Sequence, residues 1–435
     1  MFDKTKIYRK FLKLTDGIYE LILMNSKLIK NITIIDPSYK EPLENTAILV
    51  KKGKIVAIDK VRSSDIENGC EIIDGEGNFI LPGFIDMHVH LMADGFLFED
   101  TMNNPLAIYF YKALKNMKDT LEAGVTYVRD CGLADIGVKL AQKKNMFPSP
   151  KMKISVMPLS ISGGHFDFKL NSGFDMVMNY PGLPHPVCNG VEGVIAKTRE
   201  ILRAKADFIK VMATGGVISA NDSPEFSQFN EKELIAIVRE AEMRGNTKVS
   251  AHAHGLEGIK NAVKAGIHFI EHGTYLNNKV AKLMVEKGTY LVPTLLVISE
   301  TKKNALNGKL KKDLSKKAME VSKFHKENME IAYNEGVKIL MGTDSGVIEH
   351  GQNLNELKLL CEIGMEPMEA IAAGTIEAAK SLEIDNELGS IAIGKTADMI
   401  MTDKNPLDDI SYLGNPDNIL MVIQDGNIVK NRFNL

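Results

Sequence analysis

Phe84-Ile85-Asp86-Met87-His88-Val89-His90, preceded by Leu81-Pro82-Gly83, is an apolar run that ends in two histidines one residue apart. On an extended strand, residues two apart point the same way, so His88 and His90 can offer imidazoles to one ion from one rigid backbone. Alone, such a pair also suits ordinary hydrogen-bonded histidines. The metal reading gains its weight from four residues further along, each at the end of its own apolar run. They are Lys210 after Asp207-Phe208-Ile209, His252 after Lys248-Val249-Ser250-Ala251, His272 after Phe269-Ile270-Glu271, and Asp344 after Ile339-Leu340-Met341-Gly342-Thr343.

A (β/α)8 barrel gathers side chains from the C-terminal ends of several strands into one site, which accounts for this distribution. The expected strands are 84–89, 125–130, 153–158, 207–212, 247–252, 267–271, 289–293 and 337–342. Helical periodicity fills the intervals, as in Ala107 to Ala123, Glu231 to Met243, Leu256 to Ala265 and Asp313 to Asn334. Gly124, Gly245, Gly266, Gly288 and Gly336 recur just before strands, where helix C-caps belong. Alternating helix and strand favours a parallel barrel or open sheet, and ligands on both early and late strands favour closure.

Both ends of the chain fall outside that pattern. Short β-like runs occupy 28–35, 46–50, 54–58 and 71–74, and the same texture returns after about Glu387 at 397–401, 419–423 and 427–430, with a turn at Asp425-Gly426. The economical reading is a small β-sandwich domain built from both termini; two unrelated hairpins are the alternative. The expected division is therefore an N-terminal extension over 1–25, part of the β domain over 26–83, the catalytic barrel over 84–386, and the rest of the β domain over 387–435.

At 435 residues the chain has room for a barrel and an accessory unit, and 44% hydrophobic with 25% charged residues is ordinary for a soluble globular enzyme. A net charge of −3, with no concentrated basic stripe, speaks against a nucleic-acid partner. No run approaches ~18 uninterrupted apolar residues, so no membrane span is expected. Cys70, Cys131, Cys188 and Cys361 lack CxxC spacing, which points to a reducing, cytoplasmic setting and away from cysteine-bound zinc. The first 23 residues mix Lys and Arg with Asp and Glu and contain no apolar core of a signal peptide. Oligomeric state leaves no trace, and a homo-oligomer is allowed.

The ordered motifs Pro82 to His90, Lys210-Val211-Met212-Ala213-Thr214-Gly215-Gly216, His252-Ala253-His254-Gly255, Glu271-His272-Gly273 and Gly342-Thr343-Asp344-Ser345-Gly346 strongly resemble the amidohydrolase superfamily. Within it, the chain is similar to the branch of imidazolonepropionase-related proteins and metal-dependent Xaa-Pro dipeptidases, or prolidase-like carboxypeptidases. The resemblance covers about residues 26 to 435. It implies two divalent metal ions, most readily zinc. His88, His90 and Asp344 would hold the more buried ion, His252 and His272 the second, with Lys210 bridging them as an anionic carbamate. Without that context, Lys210 reads as a strand-end lysine in a salt bridge and Asp344 as a turn residue.

The implied reaction is attack of a metal-bridging hydroxide on a carbonyl, with Asp344 as general base that then delivers the proton to the departing amine. His254 is expected to contact the substrate or transition state, although some relatives carry Tyr there, and His165 in Ser162-Gly163-Gly164-His165 is expected to contact substrate. His268 reads as packing, while His185, His325 and His350 have no motif around them. The loop from Gly215 to Asn230 contains Asn221, Asp222 and Glu225, and the segment from Gly163 to Asn189 contains Asp167. These acidic groups could meet a basic side chain, but solvated loops are the simpler reading. Arg129 beside Asp130 either receives a substrate carboxylate or serves an internal ion pair. The favoured activity is hydrolysis of an amide bond in a dipeptide or N-acyl amino acid. Cyclic-amide hydrolysis or deamination is the enzymatic alternative, and a non-catalytic binding protein the remote one.

Overall fold

The computed structural model describes residues 26–66, 68–93, 95, 103–177, 180–217 and 222–433; the expected N-terminal extension and Asn221 lie outside them. Strands β1 (Lys27–Ile34), β2 (Leu43–Lys51), β3 (Lys54–Ile58), β4 (Glu71–Asp74) and β5 (Phe79–Pro82) precede β6 (Phe84–Val89), which carries the HxH motif. Then come β7 (Val125–Asp130), β8 (Lys151–Ile154), β9 (Ile209–Met212), β10 (Val249–Ala253), β11 (Phe269–His272) and β12 (Tyr290–Val292). The chain closes with β13 (Met399–Thr402), β14 (Met421–Gln424) and β15 (Asn427–Asn431).

The middle of the chain is an α/β unit with two parallel sheets, β6-β7-β8 and β9-β10-β11-β12, interleaved with helices. Periodicity locates those helices to within a residue or two: Leu106–Glu122, Glu231–Glu242, Leu256–Lys264 and Lys312–Asn334. Gly124, Gly245, Gly266, Gly288 and Gly336 all sit at positive φ, between 68° and 96°, where a glycine ends a helix without a Cβ penalty. Isolated parallel bridges join the sheets: Leu159 with Val211, Leu291 with Ile339, and Val89 with Ser345.

The expected eighth strand at 337–342 needs a correction, because it forms bridges rather than a ladder. Leu340 donates to Leu291 on one side, while the Met87 and Asp344 amides bond to Met341 and His88 on the other. Asp344 then adopts φ +61°, which turns the backbone out of the extended region before a longer ladder forms. The third expected strand, 153–158, is shifted to Lys151–Ile154, because Val156 takes φ +65°.

Strands from both termini share one mixed sheet in the order β15-β14-β13-β5-β1-β2-β3, with β4 beside β1. Its joint is β5, a strand the sequence pattern did not reveal, pairing with β1 on one edge and antiparallel with β13 on the other. The Asp425-Gly426 turn has φ of +51° and +73°, the geometry of a tight hairpin between β14 and β15. Ile29, Ile48, Ile55, Ile80, Met399, Met401 and Ile423 form a separate apolar cluster within this sheet. Two independent hairpins would not bury such a set together.

Candidate metal centre

His88 lies near the end of β6 and His90 one residue beyond it. Lys210 is in β9, His252 in β10, His272 at the end of β11, and Asp344 follows the 337–342 segment. All six are buried, although they come from five separate chain segments. With His165 and His254 they line one cavity. The structure thus brings together every expected site residue.

Hydrogen bonds fix where the imidazole lone pairs point. A carboxylate or carbonyl can only accept, so His88 Nδ1 donates to Glu271 (2.8 Å) and His90 Nδ1 donates to the Gly132 carbonyl (3.3 Å). Their Nε2 atoms both face Asp344, each 3.4 Å from Oδ1. Two imidazole nitrogens and a carboxylate oxygen, the donor set of a divalent cation, therefore converge. His252 likewise donates Nε2–H to Gly215 O (3.2 Å), turning bare Nδ1 toward His272 Nε2 at 2.9 Å. Histidine ligands must be neutral. Burial, reinforced by the Lys210 charge, pushes His88 down to about 4, and burial with neighbouring imidazoles holds His252 and His272 well below their ordinary value. Burial alone would raise Asp344, but His88 and His90 outweigh it and hold the carboxyl at about 2.

Lys210 Nζ is buried with no hydrogen-bond partner, and Asp344 Oδ1 is also without a donor. A buried ammonium with no partner is costly, so this nitrogen fits modification or a bound group better than a salt bridge. The residues present thus suit a metal at two places: His88, His90 and Asp344 at one, and His252 and His272, with His254 beside them, at the other.

Residues outside the motif set hold the frame. Glu271 accepts from His88, from Ser250 Oγ and from Arg129, which also donates Nε–H to Met87 O at 2.6 Å. Although burial opposes it, Arg129 foremost keeps Glu271 ionised. Arg129 is fully buried between the rings of Phe208 and Phe269. Of its two expected roles the structure shows the internal ion pair, with Glu271, and Arg129 is not among the residues that line the cavity. Asp86 accepts from the His88 and Thr343 amides, from Thr343 Oγ1 and from Asn353, locking the Asp344 turn to β6. Asp86 was legible only as a polar residue inside an apolar strand.

His165 stacks on His252 with ring centroids 4.4 Å apart, and its Nδ1 lies 3.3 Å from Asp222 Oδ2. Asp222 also accepts from the Gly216 amide, and Asp167 accepts from Gly163 N and Lys169 N, so these acidic groups organise loops. His268 accepts from the Val249 amide at its ring and lies in a packing position, as expected. His185 pairs with Asp175 on the surface. Apart from Thr301, the rest of the cavity wall is apolar, with Phe166, Phe168, Val217, Val297, Ile298 and Val321 among its residues.

The amidohydrolase family model matches residues 79–429. The chain belongs to the amidohydrolase family. This amidohydrolase, a hydrolase of carbon–nitrogen bonds, is 34% identical over 425 residues to ochratoxinase of Aspergillus niger, covering 91% of this chain and 85% of that protein. It superimposes on a crystal structure of a Xaa-Pro dipeptidase with bound methionine in the active site, with TM-score 0.84 and 32% identity over 94% of this chain and 100% of the other. A prolidase complexed with N-methylphosphonate-L-proline gives TM-score 0.86 and 32% identity at the same coverage. No helix among the described residues is long and apolar enough to cross a membrane.

Proposed function

We propose that this amidohydrolase cleaves the amide bond of a dipeptide or N-acyl amino acid with a free carboxylate, using two divalent cations, zinc foremost. The observation that carries this reading is the convergence of His88 Nε2, His90 Nε2 and Asp344 Oδ1 beside the partnerless Lys210 Nζ. His88, His90 and Asp344 would hold one ion and His252 and His272 the other, with Lys210, carboxylated on Nζ, shared between them. Such ions supply Lewis acidity and lower the pKa of bound water. Asp344, held ionised, accepts a proton as the carbonyl is attacked and returns it to the departing nitrogen. His165 and His254 orient the substrate above this floor, and the apolar wall excludes water and suits an apolar acyl or side-chain group.

Among the described residues lining the cavity, Lys210 is the only lysine or arginine. The helices that border the mouth compensate. Between Glu300 and Lys326 the chain carries nine lysines against three acidic residues, a local excess that the net charge of −3 conceals. That local excess supports an anionic small-molecule substrate by long-range attraction.

The same reading takes 84–386 as the catalytic unit, closed as a (β/α)8 barrel through the bridges at Leu159, Leu291 and Val89, and takes 26–83 with 387–435 as a small β-sandwich around its own core. A cytoplasmic location agrees with four free cysteines. The test is metal analysis of the purified chain together with a hydrolysis screen of dipeptides and N-acyl amino acids. About two ions per chain with turnover of one subset is expected; about one ion with turnover only of cyclic amides or aminated rings would replace this reading.

A further inference from the structure

His325 has no motif around it, yet it is buried in the helix Lys312–Asn334 at a core position. The buried residues of that helix are Ala318, Val321, His325, Met329 and Ala332, an i, i+3, i+4 stripe in which histidine replaces the expected aliphatic residue. A buried imidazole must satisfy both ring nitrogens or lose stability. His325 does so through Pro293 O, 2.8 Å from Nε2, and Thr274 Oγ1, 3.0 Å from Nδ1. Thr274, fully buried, is also 2.7 Å from His254 Nδ1. The chain Pro293–His325–Thr274–His254 therefore ends at a ring that lines the cavity.

Its protons can be assigned in only one direction. The Pro293 carbonyl carries no hydrogen, so His325 Nε2 must donate. Burial pushes His325 down to about 4, so near neutral pH it carries a single ring proton and its Nδ1 is an acceptor. The hydroxyl of Thr274 has one hydrogen, which goes to that Nδ1. The oxygen of Thr274 must then accept from the other side, and His254 Nδ1 must be the donor. With one ring proton, and that proton spent there, His254 has none left at Nε2.

We infer that His325, acting through Thr274, fixes the tautomer of His254 so that Nε2 enters the site as an acceptor. His325 and Thr274 are positioning residues. A bare Nε2 addresses a group that brings a proton, such as water or an amide N–H, or a cation; it cannot donate to a carbonyl oxygen. The expected contact of His254 with the reacting substrate is thereby given a direction. The tautomer stands on the hydrogen-bond geometry together with a buried His325 that carries one ring proton, while its effect on turnover rests on the amide-hydrolysis reading, so the two are measured separately.

The first measurement is a two-bond ¹H–¹⁵N correlation spectrum of the full-length, ¹⁵N-histidine-labelled protein, with the His254 ring assigned by its loss in His254→Asn. A protonated Nδ1 and a bare or metal-coordinated Nε2 are expected; a protonated Nε2 would overturn the inference whatever the enzyme does. The second is kinetics on the metal-loaded enzyme. Thr274→Val should lower kcat by about 10–100-fold, the range seen when partners that orient active-site histidines are removed. Thr274→Ser, which keeps the hydroxyl, should retain both turnover and the His254 spectrum. Equal turnover and identical spectra in Thr274→Val and Thr274→Ser would also refute it. His325→Phe should shift the His254 spectrum as Thr274→Val does. If it fails to fold, the wild-type spectrum and the Thr274 pair still decide.

Discussion

Gly216→Ala is the sharpest single test of His165. Gly216 does not lie at positive φ, so alanine meets no backbone strain there. Its new Cβ, however, would lie 2.0 Å from His165 Cε1 and 2.4 Å from Nε2. Ordinary contact begins at 3.4 Å, so the ring must retreat by about 1.4 Å. It has little room to do so: His252 stacks on it at 4.4 Å and Asp222 lies 3.3 Å from Nδ1. Misplacement of a positioning group by ~1 Å costs on the order of 10²-fold in rate, and overpacking costs about 1–3 kcal/mol of stability. The assay is kcat/KM for Gly216→Ala, with metal content and thermal melts as controls, beside His165→Ala and the double variant. A loss of about 30–100-fold with metal retained is expected, and His165→Ala should mask most of it, because the ring that the new Cβ strikes is then gone. Wild-type activity in Gly216→Ala, or independent losses that multiply in the double variant, would refute a working role for His165.

Asp344→Asn should keep its metal and lose about 10²–10⁴-fold in kcat, checked by metal analysis and steady-state kinetics; near wild-type turnover would remove it as general base. Lys210→Ala should lose metal and regain part of it, with activity, in the presence of a short carboxylic acid; full metal content in the unsupplemented variant would rule out the shared carbamate. Arg129→Leu leaves the buried Glu271 charge unpaired and should cost about 3–5 kcal/mol in chemical denaturation, a change under ~1 kcal/mol contradicting the internal ion pair. Burial raises Glu356 to about 8 against the Leu295 and Leu296 amides that lower it, so between its ordinary value and about 8 the folded state binds the extra proton. The stability this contributes is present at low pH and lost as pH rises through about 8. Melting curves across that range should show Glu356→Gln gaining on the parent as pH increases, and parallel curves would place the carboxyl elsewhere.

Much of this was legible along the chain because the relevant physics is local. Period-two runs, helical stripes and the glycines at positive φ depend on near neighbours, so strands and helices were located to within a few residues. The ligand residues stood out because a polar side chain at the end of an apolar run is locally anomalous: His88 and His90 share a strand face, and Lys210, His252, His272 and Asp344 repeat the anomaly in order. Strand ends were less legible, since positive φ at Val156 and Asp344 reflects contacts made from outside each segment. β5 escaped notice because its identity as a strand rests on partners in β1 and β13, far away in sequence.

What only tertiary structure decided is direction and pairing. Nothing along the chain distinguishes an Arg129 that faces the cavity from one enclosed by Phe208, Phe269 and Glu271; only the folded contacts show the second. His325, a histidine in the apolar stripe of its helix, acquires meaning through Thr274, fifty-one residues earlier in the chain. The sequence by itself determined which side chains are available and the family they belong to, because chemistry and local periodicity are written residue by residue. Which nitrogen donates, which carboxylate stays charged and which cation is consumed internally depend on groups meeting across long separations in a water-poor interior, where each proton has few places to go.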